Sequence, residues 1–432
     1  MIEDLPDVPP ALMLILRELA SQDSWVKMRR RVKEMLPDLR DQSEAYQIHT
    51  LEKSRDDIKH NHFDIHLHGT LNLLAGQGCS ALPCRVDAAD RIARSVGLLA
   101  DRVWLTDLFT EEFVDFGRAT NAKLDQVMEE VIVLSRLLPL ISAGIVKFRS
   151  PWVVTCNSCK EHFDLEVAEA SRKLAKIFSS EFKIKKGSDG EYTADTGGCM
   201  VPSLVYRAQT PKGIKPPTKK QFAYEWIEEQ LHSIFWISRE AAITGGTVFS
   251  NSRLGLAGLL QQEGRLHDAS TLHLLDNDRE INVPWVSKLD AQQILELRQE
   301  ASLALPKFRE KMFQIMSAHE ISAQTGKSSQ DLIFELREQA EDVRAELKSS
   351  QRNSAKYWKT TYGVLGLGLS AYGVATDQVI AGVGGLLPIL QLLIQHKTGH
   401  ESKRESQISK PGYVLLKAQD ILSHAHEEHI NA

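Results

Sequence analysis

No uninterrupted apolar run in this chain reaches the ~20 residues that a membrane-spanning helix needs. Charge of one sign is not in excess either: 52 Lys and Arg stand against 57 Asp and Glu, a formal net charge of −5. That balance excludes a basic nucleic-acid coat, so any anion binding must come from local patches. Only 5 cysteines occur in 432 residues. An odd, sparse set does not read as a disulfide framework, and a reducing cytoplasm is the natural compartment. The first residues, MIEDLPDVPP, are acidic and proline-broken, without a basic n-region or an apolar h-region, so no secretory leader is expected. Nucleophile elbow, HExxH and Rossmann fingerprint are all missing from the sequence.

What the chain does have is an apolar, glycine-rich stretch from Thr361 to Gln395, with Asp377 as its one charged residue. It reads as a helical hairpin turning at Asp377. The small-xxx-small pairs Gly366/Ser370, Ala371/Ala375 and Ala381/Gly385 would let two backbones approach closely. Such a hairpin must be covered by protein or by lipid. Both arms are short and Pro388 interrupts the second, which favours a buried hairpin in a soluble protein. Lys348, Arg352, Lys356 and Lys359 before it, and Lys397, Lys403, Arg404 and Lys410 after it, fit the alternative of membrane association with both ends cytoplasmic.

The length suggests two or three domains at roughly 150 residues each. Hydrophobic residues at 42% and charged residues at 25% are ordinary for a globular protein. Periodicity predicts helices over 10–20, 25–36, 88–99, 121–143, 221–242 and 413–426, and short strands over 102–106, 145–148 and 246–250. Asp290-Ala-Gln-Gln293 resembles a capping box opening a C-terminal helical half. The expected fold class is α+β, predominantly helical, with an N-terminal α/β unit holding a small, partly parallel sheet. The expected division is a helical segment 1–85, an α/β unit 86–206, a basic proline-rich linker 207–220, a mixed continuation 221–285, and a helical region 286–432 carrying the hairpin 361–395.

Candidate chemistry is thin. Cys156-Asn-Ser-Cys159 places two thiols at the spacing that grips one Zn²⁺, with His162 near enough to join, although the second half of a zinc knuckle is missing. The same motif ahead of a helix would also suit redox chemistry, and inert cysteines are the default. Asp101, Asp107 and Glu111, followed by Glu112 and Asp115, cluster around a strand. Carboxylates there could hold Mg²⁺ for phosphodiester hydrolysis, or could simply complement a helix dipole. Lys212, Lys215, Lys219 and Lys220 in the 207–220 stretch could steer nucleic acid, with a solvated linker as the alternative. The six residues Asp64 to Gly69 (DIHLHG) resemble the first metal-binding strand of an amidohydrolase barrel, but no eight-fold β/α repeat accompanies them. Gly326-Lys327-Ser328 mimics the end of a P-loop without its leading glycine or strand.

Leu137–Pro151 (LLPLISAGIVKFRSP) and the VPW…ILELRQE…FREKM layout of Pro284–Met312 resemble uncharacterised bacterial proteins of the type found beside phage-defence genes. The resemblance implies a bacterial cytosolic accessory or defence role and transfers no site residue. The expectation is therefore an interaction protein that binds a protein partner or itself and acts through a conditional conformational change. Two alternatives stand beside it: a metal-dependent hydrolase acting on nucleic acid, and a membrane-perturbing effector using hairpin 361–395.

Overall fold

A computed structural model of the chain describes residues 5–20, 24–52, 62–71, 73, 78–150, 156–200, 203–211, 213–260, 272–274, 286–316, 334, 338–345 and 405–431. The hairpin 361–395, the Gly326–Ser328 tripeptide and Lys212 lie outside them. Contacts divide the chain into two compact units. The first holds Met1–Val283, Ser287–Glu296 and Phe313–Ser329, and the second holds Pro284–Val286, Leu297–Met312 and Gln330–Ala432.

The fold is α+β and predominantly helical. Eight strands are described in the first unit: β1 Asp64–His68, β2 Arg102–Thr106, β3 Val146–Arg149, β4 Lys183–Lys186, β5 Glu191–Asp195, β6 Val205–Gln209, β7 Thr247–Ser250 and β8 Leu272–Leu274. Five form a parallel sheet in the order β3-β2-β1-β7-β8. The order runs outward from β1 in one direction, then restarts on its other side, as in doubly wound α/β sheets. The remaining three form an antiparallel meander, β4-β5-β6.

Helices fill the crossovers that parallel strands require. They are α1 Pro10–Ala20, α2 Trp25–Glu52, α3 Leu82–Arg94, α4 Val96–Leu99, α5 Phe109–Val114, α6 Asn121–Ser135, α7 Leu138–Ser142, α8 Asn157–Phe178, α9 Lys219–Thr244 and α10 Arg253–Leu260. Alternation along the strands puts Ile65 and Leu67, Val103 and Leu105, and Val146 and Phe148 on one face, all buried. Helix α9 packs on β1 and β7, and α8 packs on α9. Phe163, Leu174, Phe182, Trp226, Ile227 and Leu231 belong to the core joining α8, α9 and the meander.

Several expectations change. The central strand β1 falls inside the 1–85 segment expected to be helical. The helix expected over 121–143 breaks after Ser135, because Pro139 sits in the first turn of α7 and cannot continue the ladder of α6. The stretch 207–220 holds the end of β6, a connection and the start of α9.

In the second unit, Lys417 of α12 (Gly412–Asn431) pairs with Glu300 at 2.7 Å. Arg344 donates to Gln419. In the first unit, the capping box opening α11 (Ala291–Glu300) is formed: Gln293 N–H donates to Asp290 Oδ1 at 2.9 Å, and Asp290 N–H to Gln293 Oε1 at 3.0 Å. No helix among the described residues is long and apolar enough to cross a membrane.

Candidate functional site

Parallel sheets covered on both faces normally read as continuous apolar strands. Here the second face of β1 presents Asp64, His66 and His68, all buried. Arg102 on β2 donates to Asp64 through Nε at 2.5 Å and Nη2 at 2.6 Å. Its guanidinium also lies 5.7 Å from the centre of the Trp104 ring, which stacks on His66 with centroids 6.0 Å apart. His66 Nε2 is 2.9 Å from Thr244 Oγ1, and His68 Nδ1 is 2.8 Å from Ser250 Oγ. Burial, then the charge of Arg149, pushes the His68 imidazole down to about 3, so it is neutral. The Gln230 backbone carbonyl opposes that shift. Trp104 Nε1 is buried without a hydrogen-bond partner among the described residues. An unpaired group of this kind costs about 1–3 kcal/mol.

The strand order reverses between β1 and β7, and the two turns leaving their carboxyl ends are tied together. Asn251, just past β7, accepts from the Thr70 N–H at 3.0 Å and donates to the Thr70 hydroxyl. Gly69 makes the approach with φ +73; a Cβ there would lie 2.5 Å from Asn251 Oδ1. Ser250 Oγ accepts from Ser252 N–H at 2.9 Å, and Ser252 Oγ accepts from Gly255 N–H at 3.0 Å, capping α10.

Arg149, the last residue of β3, reaches over this edge. It is buried and donates to Thr106 Oγ1 at 2.8 Å, Trp104 O at 3.0 Å and Leu67 O at 3.2 Å. No carboxylate pairs with it directly among the described residues. Burial lowers it to about 10, opposed by the charge of Glu240, so it remains a cation.

The carboxylates singled out from sequence do not meet. Asp101 stands at the amino end of β2, where its Oδ2 accepts from the Phe63 N–H at 2.9 Å. Asp107 stands at the carboxyl end, buried, accepting from the Thr110 N–H at 3.0 Å and hydroxyl at 2.6 Å. Burial raises its pKa, and Thr110 opposes that. Glu111, Glu112 and Asp115 instead line a hollow of about 400 Å³ with Lys123 and Glu130. Burial and then Glu130 raise Glu112 to about 7, while Glu130 itself pairs with Arg85. No group of three or more His, Cys, Asp or Glu side chains among the described residues could hold a metal ion. That includes Cys156 and Cys159, which open α8 on the surface, and His66 and His68, whose rings turn to hydroxyls.

Lys215 on the β6–α9 connection and Lys219 and Lys220 at the start of α9 are exposed, with Lys219 Nζ donating to Ser180 O at 3.0 Å. The register of the meander sets Lys183 and Lys185, which sequence reading had passed over, on the same exposed face as Arg207. Also missed were Arg149 and Asn251. A signal existed for both, since each immediately ends or follows a short strand, where α/β sheets place ligand contacts.

The chain matches no protein-family model, no curated protein and no solved structure.

Proposed function

We propose that this chain is an interaction protein of the bacterial defence-accessory type, whose α/β unit takes up a small anionic ligand and answers it with a conformational change. The observation that carries this reading is the reversal of strand order between β1 and β7, with Gly69 and Asn251 at the two carboxyl ends. In open α/β sheets, ligands settle in the crevice outside such a reversal. Arg149 supports an anion there, because a buried guanidinium without a carboxylate partner is stabilised by an incoming negative charge. The turn Gly69-Thr70-Leu71 lacks the G-x-G-x-x-G pattern, which favours a small phosphate-bearing molecule over a dinucleotide held by a glycine loop. In this reading the protein is cytoplasmic, and the C-terminal region with hairpin 361–395 is the effector or self-association element.

The test is calorimetric titration and thermal unfolding of the full chain with inorganic phosphate, pyrophosphate and ATP as separate probes. A probe present at 100 times its Kd stabilises the folded state by about 2.7 kcal/mol. Arg149→Lys, which keeps the charge but loses the fork, is expected to weaken that probe. Absence of heat and of stabilisation with all three probes overturns the proposal.

A further inference from the structure

We propose that Cys156 and Cys159 form a thiol–disulfide exchange site whose substrate is an exposed disulfide. Four of the five cysteines are exposed, and they fall into two pairs. Cys156 is the N-cap of α8, a helix of 22 residues with no acidic residue in its first turn. Its sulfur accepts from the Cys159 backbone N–H at 3.5 Å. A negative sulfur at this position is stabilised by the N–H groups and the positive end of the helix dipole. The titration of the two groups follows this geometry. Cys156 is lowered, first by the Cys159 N–H and then by the Cys159 thiol, whereas Cys159 is raised by Cys156. Cys156 is therefore the attacking sulfur and Cys159 the resolving one.

The other cysteines lack this arrangement. Cys84 is raised, first by its hydrogen bond with Cys79. Cys199 is buried and pushed up to about 12. A zinc role for Cys156 and Cys159 finds no third ligand among the described residues.

The exchange balances in two steps. The Cys156 thiolate attacks one sulfur of a disulfide R–S–S–R′, forming Cys156–S–S–R and releasing R′–S⁻, which takes up a proton. Cys159 then loses its proton to solvent and attacks the Cys156 sulfur, forming the Cys156–Cys159 disulfide and releasing R–S⁻, which is protonated in turn. The two protein thiols are oxidised, and the substrate disulfide is reduced to two thiols.

The experiment uses the full chain, reduced, with oxidised glutathione as the small disulfide and insulin as the protein disulfide. Cys159→Ser is expected to trap a mixed disulfide on Cys156, while Cys156→Ser traps none at Cys159. Iodoacetamide at pH 7 is expected to label Cys156 roughly five-fold faster than Cys84, read by mass spectrometry. A mixed disulfide with glutathione alone assigns a low-molecular-weight substrate, and one with insulin assigns a protein substrate. The proposal is overturned by equal labelling of Cys156 and Cys84, by no adduct with either disulfide, or by stoichiometric zinc bound to Cys156 and Cys159 in the purified protein.

Discussion

Asn251 bridges the two turns at the reversal of the parallel sheet, its amide engaging both the N–H and the hydroxyl of Thr70, 181 residues away in sequence. Gly69 sits against the same amide. These two residues can be tested as a pair. Gly69→Ala carries the cost of positive φ and a clash with Asn251. Asn251→Ala loses both hydrogen bonds, at about 1–3 kcal/mol. In the double variant the clash is gone, so urea denaturation should show a total at least ~0.5 kcal/mol smaller than the sum of the single costs.

The Asp64–Arg102 pair should behave as a buried ion pair. Arg102→Leu strands the Asp64 carboxylate under β1 and is expected to cost about 3–5 kcal/mol in urea denaturation. Asp64→Leu combined with Arg102→Leu should recover part of that loss, since no charge is then left unpaired.

His68 should remain neutral far below the usual histidine range. Its pKa is lowered from 6.5 to about 3 by burial, so the folded state resists protonation that the unfolded chain accepts. Its contribution to stability is full above pH 6.5 and is lost as pH falls toward 3. NMR of the imidazole nitrogens should show no titration of His68 between pH 7 and about 4, and titration near 6.5 would contradict its burial.

Glu112 runs the opposite way. Its pKa rises from 4.5 to about 7, so the folded state holds the proton more tightly than the unfolded chain does. The stability it contributes is fully present below pH 4.5 and is lost as pH rises toward 7. Stability measured across that window should decline less in Glu112→Gln than in the wild type.

Much of the frame was legible from local pattern. β2 reads directly from Arg102–Thr106, and the capping box at Asp290 forms as its residue types require. Gly144 takes the left-handed conformation (φ +70) expected of a residue that ends a helix. The central place of β1 was not legible: DIHLH resembled a strand only by likeness to a metal-binding one, its alternation reads as half-exposed, and it is buried throughout. Its polar side is satisfied by Arg102, Thr244 and Ser250, none of which is nearby in sequence. The carboxylates misled for a related reason. Asp101 and Asp107 are close along the chain, but β2 runs between them and holds them at opposite edges of the sheet.

The sequence by itself determined the class of the fold, most of the longer helices, three of the eight described strands, and the closeness of Cys156 to Cys159, because periodicity, capping and CxxC spacing act over a few residues. Tertiary structure alone decided which groups converge. The parallel sheet joins strands far apart in the chain, so the placing of Arg149, Gly69 and Asn251 at one edge follows from strand order rather than from any local motif.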